Sequence, residues 1–186
     1  MTVRKILKYP DDEAKLRRKS AEIKKLDAET KNLIKDLKDT LATQAGAGLA
    51  APQIGVLKRV ALVVFGQDDE ETQPPLAIIN PVIVERGPLG RGFDGCLSIP
   101  GLYTWDTLRP TWLVFTARDE NWRKIKMRVE GIDAIVVDHE VDHLNGVLFL
   151  DRLDKGGKLY IAQTDENGEE KLVELDSLIA KFQPNL

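Results

Sequence analysis

The residues most able to do chemistry lie in one short segment, His139-Glu140-Val141-Asp142-His143. Residues four apart on an α-helix lie one turn above each other, about 40° apart around the axis, so both imidazoles can bind one ion from the same face. A carboxylate beside that face can take a proton from a metal-bound water without being a ligand. Two surface histidines on an amphipathic helix are the alternative, but the chain has only two histidines and both fall here. The segment therefore predicts a metal site of the HExxH type.

Three apolar residues share the predicted helix face with the histidines, one and two turns earlier: Ile132, Ile135 and Val136. Side chains at these spacings form a stripe that packs into a core or lines a cavity, and both roles can hold at once. We expect an apolar pocket to adjoin the metal.

A metal held by two histidines needs a third protein ligand. The metzincin pattern requires a histidine where this chain has Phe149, which excludes that class. An endopeptidase of the HExxH type would use a downstream glutamate, and the candidates are Glu166, Glu169, Glu170 and Glu174. These lie in or beside a predicted hairpin turn, where charged residues need no function. The remaining candidate is Cys96, the only cysteine, and a thiolate with two imidazoles leaves one position open for water.

Length and composition limit the class of protein. A chain of 186 residues with 42% hydrophobic and 31% charged residues is expected to form a single domain, residues 1–186. One cysteine excludes an intrachain disulfide. The absence of a long apolar run and of a secretory signal pattern predicts a cytoplasmic protein without a membrane partner. A net charge of −3 argues against DNA as a partner, although residues 1–40, with a net charge of +4, leave room for a local RNA contact.

Apolar periodicity predicts the helices and the loop that position these groups. A short helix is expected over 12–20, and a longer one follows the N-cap residue Asp27. Residues 44–55 contain three glycines and a proline and predict an unusually apolar loop. A helix over 132–145, with Gly146 just past its end, carries the HExxH segment.

Strands are predicted from runs of apolar and β-branched residues at 59–65, 76–80, 82–85, 112–118, 124–129, 159–163 and 171–175. The last two flank Asp165-Glu166-Asn167-Gly168, a hairpin turn pattern. The expected fold class is α+β, with mainly antiparallel strands packed around a central metal-binding HExxH helix. The segment GAGLAA also matches the glycine pattern of dinucleotide-binding folds, but a helix precedes it and Pro52 would interrupt a following helix, so we do not expect that fold.

Three segments, GAGLAAPQIG, DGCLSIPG and DHEVDHLNG, occur in this order along the chain. They resemble the three signature motifs of peptide deformylases, GxGLAAxQ, EGCLS and QHExDH. The opening ILKYPDDEAKLRRKSAEI also resembles the family's N-terminal strand and first turn, so the resemblance runs from about Ile6 to Leu153. Residues 154–186, a C-terminal hairpin and tail, lie outside it, and a ribosome contact there is a hypothesis.

This resemblance implies a metal-dependent hydrolase that removes the formyl group from the N-terminal formylmethionine of newly synthesised polypeptides and releases formate. It implies that Cys96, His139 and His143 hold the metal. A metal-bound hydroxide would attack the formyl carbon, with Glu140 as general acid/base. Fe²⁺ is the expected ion, with Zn²⁺, Ni²⁺ or Co²⁺ substituting, and the ligand types alone suit Zn²⁺ well.

Substrate contacts are implied by the same resemblance. The side-chain amide of Gln53 and the backbone N–H of Leu97 would polarise the formyl oxygen. The methionine side chain would enter the apolar pocket predicted above. The peptide would lie extended along Gly46, Ala47 and Gly48 as an added strand.

Two residues depart from the family's motifs, Asp94 where the family usually has Glu and Asp138 where it has Gln. Some members also have an arginine seven residues after the motif cysteine, where this chain has Tyr103. Arg109 is the nearest replacement, and its pairing with Asp142 is a hypothesis. The competing functions are an HExxH endopeptidase, which leaves Cys96 without a role, and a metal-binding or ribosome-associated module whose turnover the departures have ended.

Overall fold

The computed structural model describes residues 2–66, 73–164, 168 and 170–175. Within these residues the chain forms three α-helices, α1 Glu13–Leu16, α2 Ala28–Leu41 and α3 Gly131–Leu144, and two 3-10 helices, Ala51–Ile54 and Phe149–Arg152. Over the same residues the nine strands are β1 Gly48–Ala50, β2 Val60–Val63, β3 Leu76–Arg86, β4 Leu89–Cys96, β5 Ile99–Pro110, β6 Trp112–Arg118, β7 Lys124–Glu130, β8 Tyr160–Thr164 and β9 Glu170–Glu174. Their pairings are antiparallel, so the predicted α+β class with antiparallel strands is confirmed.

The strands of the described chain form two sheets, one in the order β1-β2-β3-β6-β7 and the other in the order β4-β5-β8-β9. Side chains alternate between the two faces of a strand, and β2 uses both faces for burial. Val60 and Leu62 pack with α2, whereas Ala61 and Val63 pack with α3. The five-stranded sheet is therefore covered by a helix on each face.

Helix α3 contacts strands of both sheets. It buries five ionisable side chains within its last two turns, Asp138, His139, Glu140, Asp142 and His143. Ionisable groups are rarely buried without partners, so their neighbours define the chemistry of this region. The helix ends before Gly146, whose φ is 77° and where an added Cβ would lie 2.2 Å from the carbonyl oxygen of Arg17.

Several predicted elements agree with the structure, and several differ from it. Asp27 caps α2 by accepting a hydrogen bond from the backbone N–H of Thr30 at 3.0 Å, and β6 has the predicted bounds. The predicted loop over 44–55 instead contains β1 and a 3-10 helix, and the predicted strands 76–80 and 82–85 are the single strand β3.

The first helix and the second sheet also differ from the prediction. The first helix is shorter than predicted, and strands β4 and β5 were not predicted at all. Residues 165–167 of the predicted hairpin turn lie outside the described residues. No helix in the described part of the chain is long and apolar enough to cross a membrane.

Candidate active site

Cys96, His139 and His143 come together at one point. The Nε2 atoms of the two histidines are 3.1 Å apart, and the Sγ atom of Cys96 is 3.2 Å from Nε2 of His143. All three ligand atoms lie within 4.8 Å of one another, and in the described part of the chain this is the only such group of His, Cys, Asp or Glu. One thiol and two imidazoles are donors that zinc and other transition metals accept at about 2.0–2.3 Å. The donor set therefore fits a metal ion.

Asp94 orients the first histidine. Its Oδ1 lies 2.7 Å from Nδ1 of His139, which leaves Nε2 of that ring directed toward Cys96 and His143. A carboxylate on the outer nitrogen fixes the ring and its tautomer, as is common for metal-binding histidines. Burial acts to raise the pKa of Asp94, but His139 and Arg109 lower it to about 2. The aspartate therefore reaches the histidine despite being one methylene shorter than the family's glutamate.

Arg109 is fully buried and contacts three carboxylates. Its Nε and Nη2 donate to Oδ2 of Asp94 at 3.0 and 2.8 Å. Its Nη1 donates to Oδ2 of Asp138 at 2.8 Å and to Oδ2 of Asp142 at 2.5 Å. Burial acts to lower the pKa of the guanidinium, but the three carboxylates raise it above its ordinary value. The extra negative charge of Asp138 is therefore paired, and the hypothesis of an Arg109–Asp142 pair agrees with these contacts.

Glu140 is buried beside the histidines, and its Oε2 has no hydrogen-bond partner among the described residues. Burial raises the pKa of this carboxyl to about 7. Gly48 leaves room for it, because an added Cβ at that position would lie 2.4 Å from Oε1 of Glu140. Glycine at this position lets β1 approach the carboxylate closely.

Gln53 lies on the 3-10 helix and is buried on the other side of the cysteine. Its Oε1 accepts a hydrogen bond from the backbone N–H of Ala50 at 2.8 Å, which fixes the orientation of the amide. Its Nε2 donates to Oγ of Ser98 at 3.2 Å and lies 3.6 Å from Sγ of Cys96. The amide donor thus points toward the same place as the three ligand atoms.

A cavity of about 490 Å³ opens above these groups. Gly46, Ala47 and Gly48 line one side, Cys96 and Leu97 another, and α3 contributes Ile132, Ile135, Val136, His139 and Glu140. The structure therefore brings together all the residues that the sequence singled out for this site. Of the alternative glutamates, Glu170 and Glu174 lie on β9, and Glu174 is not part of this ligand group. Glu166 and Glu169 are outside the described residues.

The N-terminal segment makes hydrogen bonds to the residues around this site. No feature of the sequence indicated these contacts. The backbone N–H of Leu7 donates to the carbonyl of Gln53 at 2.7 Å, and that of Tyr9 donates to the carbonyl of Ser98 at 2.8 Å. Between them, Nζ of Lys8 donates to the carbonyl of Leu97 at 2.5 Å and the side chain lines the cavity. A lysine almost ninety positions before the loop that it contacts carries no sequence signal for this role.

Comparison with known proteins identifies the family. A family model described as polypeptide deformylase matches residues 3–159. The chain belongs to the peptide deformylase family. Members of this family are metal-dependent hydrolases that act in protein biosynthesis.

Two bacterial peptide deformylases are similar to this chain over nearly their whole length. A peptide deformylase from Thermomicrobium roseum is 40% identical over 174 residues, which cover 91% of this chain and 97% of the relative. One from Leptospira biflexa is 41% identical over 185 residues and covers 94% of this chain and 100% of the relative. The crystal structure of a peptide deformylase from Ehrlichia chaffeensis in complex with actinonin has a TM-score of 0.76 and 34% identity, covering 84% of this chain and 91% of that one.

Proposed function

We propose that this chain removes the formyl group from the N-terminal formylmethionine of newly synthesised polypeptides and releases formate. The observation that carries the proposal is the convergence of a thiol and two imidazoles beside a buried carboxylate, at the base of a cavity. The carboxylate has one oxygen without a partner in the described chain. A closed set of three ligands next to a proton acceptor is what metal-assisted amide hydrolysis needs.

Cys96, His139 and His143 are the proposed metal ligands, and α3 with its ligands is the proposed central element of the fold. What the ion supplies when bound is Lewis acidity, which lowers the pKa of a water ligand toward neutrality. Fe²⁺ is the proposed ion on the basis of the family resemblance, while the sulfur and nitrogen donors also suit Zn²⁺. Asp94 supports the site by fixing Nδ1 of His139.

Glu140 is the proposed general acid/base. Its Oε2 accepts the proton of the attacking water and then donates it to the amine that leaves when the bond to the formyl carbon breaks. Burial against α3 and Gly48 holds the carboxylate in one position, so the proton moves over a short fixed path. Support for this role comes from the unpartnered oxygen beside the proposed ligands.

Gln53 and the backbone N–H of Leu97 are the proposed donors to the formyl oxygen. As the carbonyl becomes tetrahedral, that oxygen gains negative charge, and donors already aimed at it lower the barrier. The amide of Gln53 is held by Ala50 and Ser98, so little reorganisation is required.

The substrate peptide is proposed to bind along β1. This strand is the edge of its sheet within the described chain, so the side of Gly48 that faces away from β2 is open to pair with an extended peptide. Gly46 and Ala47 precede it along the cavity wall and would continue this contact. The methionine side chain would then enter the cavity between Ile132, Ile135 and Val136. We further propose that residues 1–186 form one catalytic domain, and a ribosome contact beyond residue 153 stays a prediction.

The direct test is formate release. The protein is purified anaerobically, its bound metal is measured, and formyl-Met-Ala-Ser is compared with an unblocked protein substrate. We expect formate from the tripeptide and no cleavage of internal peptide bonds. A metal-loaded protein that releases no formate would refute the proposal, and internal cleavage would favour an endopeptidase. Binding of actinonin, the ligand in the Ehrlichia structure, is an independent expectation that thermal shift can measure.

A further inference from the structure

Four aromatic side chains form a continuous strip that starts at the mouth of the cavity: Phe93 on β4, Tyr103 and Trp105 on β5, and Tyr160 on β8. Phe93 stacks on Tyr103 with ring centroids 6.0 Å apart. Phe93 lies 5.2 Å from Trp105, and Trp105 meets Tyr160 edge to face at 5.1 Å. The first two rings line the cavity and the last two lie outside it. We call these four residues the aromatic strip.

Strand alternation directs the aromatic strip away from the core. On β5, Leu102 and Thr104 are buried, whereas Tyr103 and Trp105 between and after them point outward. Trp105 keeps 46% of its surface exposed and Phe93 keeps 40%. Packing of the fold does not require aromatic residues on this outward face, and clustered exposed aromatic residues commonly mark a binding surface.

Charged residues at the border of the aromatic strip are paired with one another. Arg91 bridges Asp106 at 3.1 Å and Asp154 at 2.8 Å, and Lys158 bridges Glu174 at 2.9 Å. These five residues carry two positive and three negative charges, so their charges largely cancel. An uncharged surface of rings favours apolar and aromatic side chains over charged ones.

The exposed area of the aromatic strip favours an extended peptide over a second protein as its ligand. The exposed part of the four rings amounts to roughly 300 Å², since a whole aromatic residue has about 150–250 Å². A stable dimer buries about 800 Å² on each partner. The steps from Phe93 to Trp105 and on to Tyr160 span up to about 10 Å, the length of roughly three extended residues. The strip thus has the dimensions of a short peptide segment leaving the cavity.

We propose that the aromatic strip binds the part of the substrate polypeptide that follows its first three residues, and that it favours apolar and aromatic side chains there. The inference rests on the proposed function, because the cavity must hold the formylated end for the next residues to reach the strip. It assigns Trp105 and Tyr160 a part in substrate selection, outside the residues that do the chemistry.

The test compares peptides that differ only beyond the third residue. Formyl-Met-Ala-Ser-Phe-Phe-Lys and formyl-Met-Ala-Ser-Ser-Ser-Lys are assayed beside formyl-Met-Ala-Ser, and the measured quantity is the ratio of kcat/KM for each long peptide to that for the tripeptide. We expect a ratio of roughly 3 to 10 for the aromatic peptide and about 1 for the serine peptide, the range that one or two aromatic contacts provide.

Substitutions locate the effect on the strip. Trp105→Ala and Tyr160→Ala should each lower the aromatic ratio toward 1, and Trp105→Phe should keep it. Leu89→Ala, an exposed apolar residue on β4 outside the strip, is the matched control and should leave the ratio unchanged. Thermal unfolding of each variant separates loss of fold from loss of binding. A ratio that Trp105→Ala and Tyr160→Ala both leave unchanged overturns the proposal.

Peptide binding and sedimentation distinguish failure of the proposed function from failure of the proposed role of the strip. Calorimetric binding of the deformylated peptides Met-Ala-Ser-Phe-Phe-Lys and Met-Ala-Ser-Ser-Ser-Lys requires no turnover, so preferential binding of the first without formate release refutes the proposed function and retains the strip. Equal binding of the two peptides overturns the strip even if formate is released. The sedimentation coefficient of the Trp105→Ala variant is also compared with that of the unsubstituted protein. If it changes while the kcat/KM ratio does not, the surface binds a second copy of this chain and the proposal is wrong.

Discussion

The candidate site has two arms that are built in different ways. The helix arm is α3, which supplies His139, Glu140 and His143 from within five consecutive residues, little more than one helical turn. The loop arm consists of Gln53 and residues 96–98, which lie more than forty positions apart and are held together by hydrogen bonds to Ser98 and by the N-terminal segment. Helical periodicity alone fixes the first arm, whereas the second exists only when distant parts of the chain have packed.

Asp94 and Arg109 connect the two arms. Asp94 is two residues before Cys96 on β4, yet it holds His139 of α3, and Arg109 on β5 contacts Asp94 and two carboxylates of α3. These buried, charge-assisted hydrogen bonds connect β4 and β5 to the helix, and removing one partner would leave an uncompensated buried charge. We therefore expect the less local arm to depend more strongly on these ion pairs than the helix arm does.

Cys96→Ala should have the largest effect, because it removes the loop arm's only proposed metal ligand. We expect the purified variant to retain no stoichiometric metal and to lose formate release completely. Metal analysis of anaerobically purified protein checks this, with the circular dichroism spectrum as the control for folding. A variant with one bound metal per chain would show that the thiol is not a ligand.

Glu140→Gln should separate metal binding from catalysis in the helix arm. The amide cannot accept the proton of the attacking water, so we expect kcat to fall by about 10²- to 10⁴-fold while bound metal is unchanged. Glu130→Gln, an exposed glutamate at the end of β7, is the matched control. Near-native turnover of the Glu140 variant would remove it from the role of base.

Gln53→Ala tests whether the loop arm contributes to the chemical step. Loss of one donor to the developing oxyanion should lower kcat by about 10²- to 10³-fold, with metal content preserved. The exposed Gln73→Ala provides the comparison and should behave as the unsubstituted protein. If KM rises and kcat does not change, the amide acts in ground-state binding instead.

Arg109→Met tests the connection between the arms. Asp94, Asp138 and Asp142 would lose their shared buried partner, so we expect metal affinity to fall by about 10- to 100-fold and the free energy of unfolding by about 3–5 kcal/mol. Competition with a chelator and denaturant unfolding measure the two effects. Arg91→Met, which breaks exposed ion pairs only, should change either quantity little. Unchanged metal affinity would show that the arms do not depend on this network.

Lys8→Met should have the smallest effect. It keeps an unbranched side chain one atom shorter than lysine and removes the hydrogen bond to the carbonyl of Leu97, so the loop arm loses one restraint and kcat should fall by roughly 3- to 10-fold. Lys5→Met, an exposed lysine in the same segment, is the control. Equal kcat values for Lys8→Met and Lys5→Met would show that Lys8 does not position the loop at Leu97.

The helices and the site residues were largely predictable from the sequence, because their signals are local. The N-cap of α2 follows from a hydrogen bond between a side chain and the backbone of a near neighbour along the chain. The predicted bounds of α3 differ from the observed ones by one residue at each end. The meeting of Cys96 with the histidines was inferred because few other sulfur or nitrogen ligands exist in the chain.

The second sheet was not predictable in the same way. Strand β4 contains three glycines and three charged or cysteine residues in LGRGFDGC, and its extended form depends on pairing with β5 over most of its length. Strand β3 continues through Asn80 and Pro81 because its register with β6 shifts there and Asn80 adopts a φ of 50°. Both features depend on partner strands that local propensity does not contain.

By itself the sequence determined which groups are candidates for the chemistry and the geometry of the helix arm, because a four-residue spacing becomes one helical turn wherever the helix lies. Only the tertiary structure decided that Asp94 compensates for its shorter side chain, that Arg109 pairs the additional charge of Asp138, and that Lys8 contacts Leu97. These contacts join elements far apart in the chain, and their distances are set by how the sheets and α3 pack.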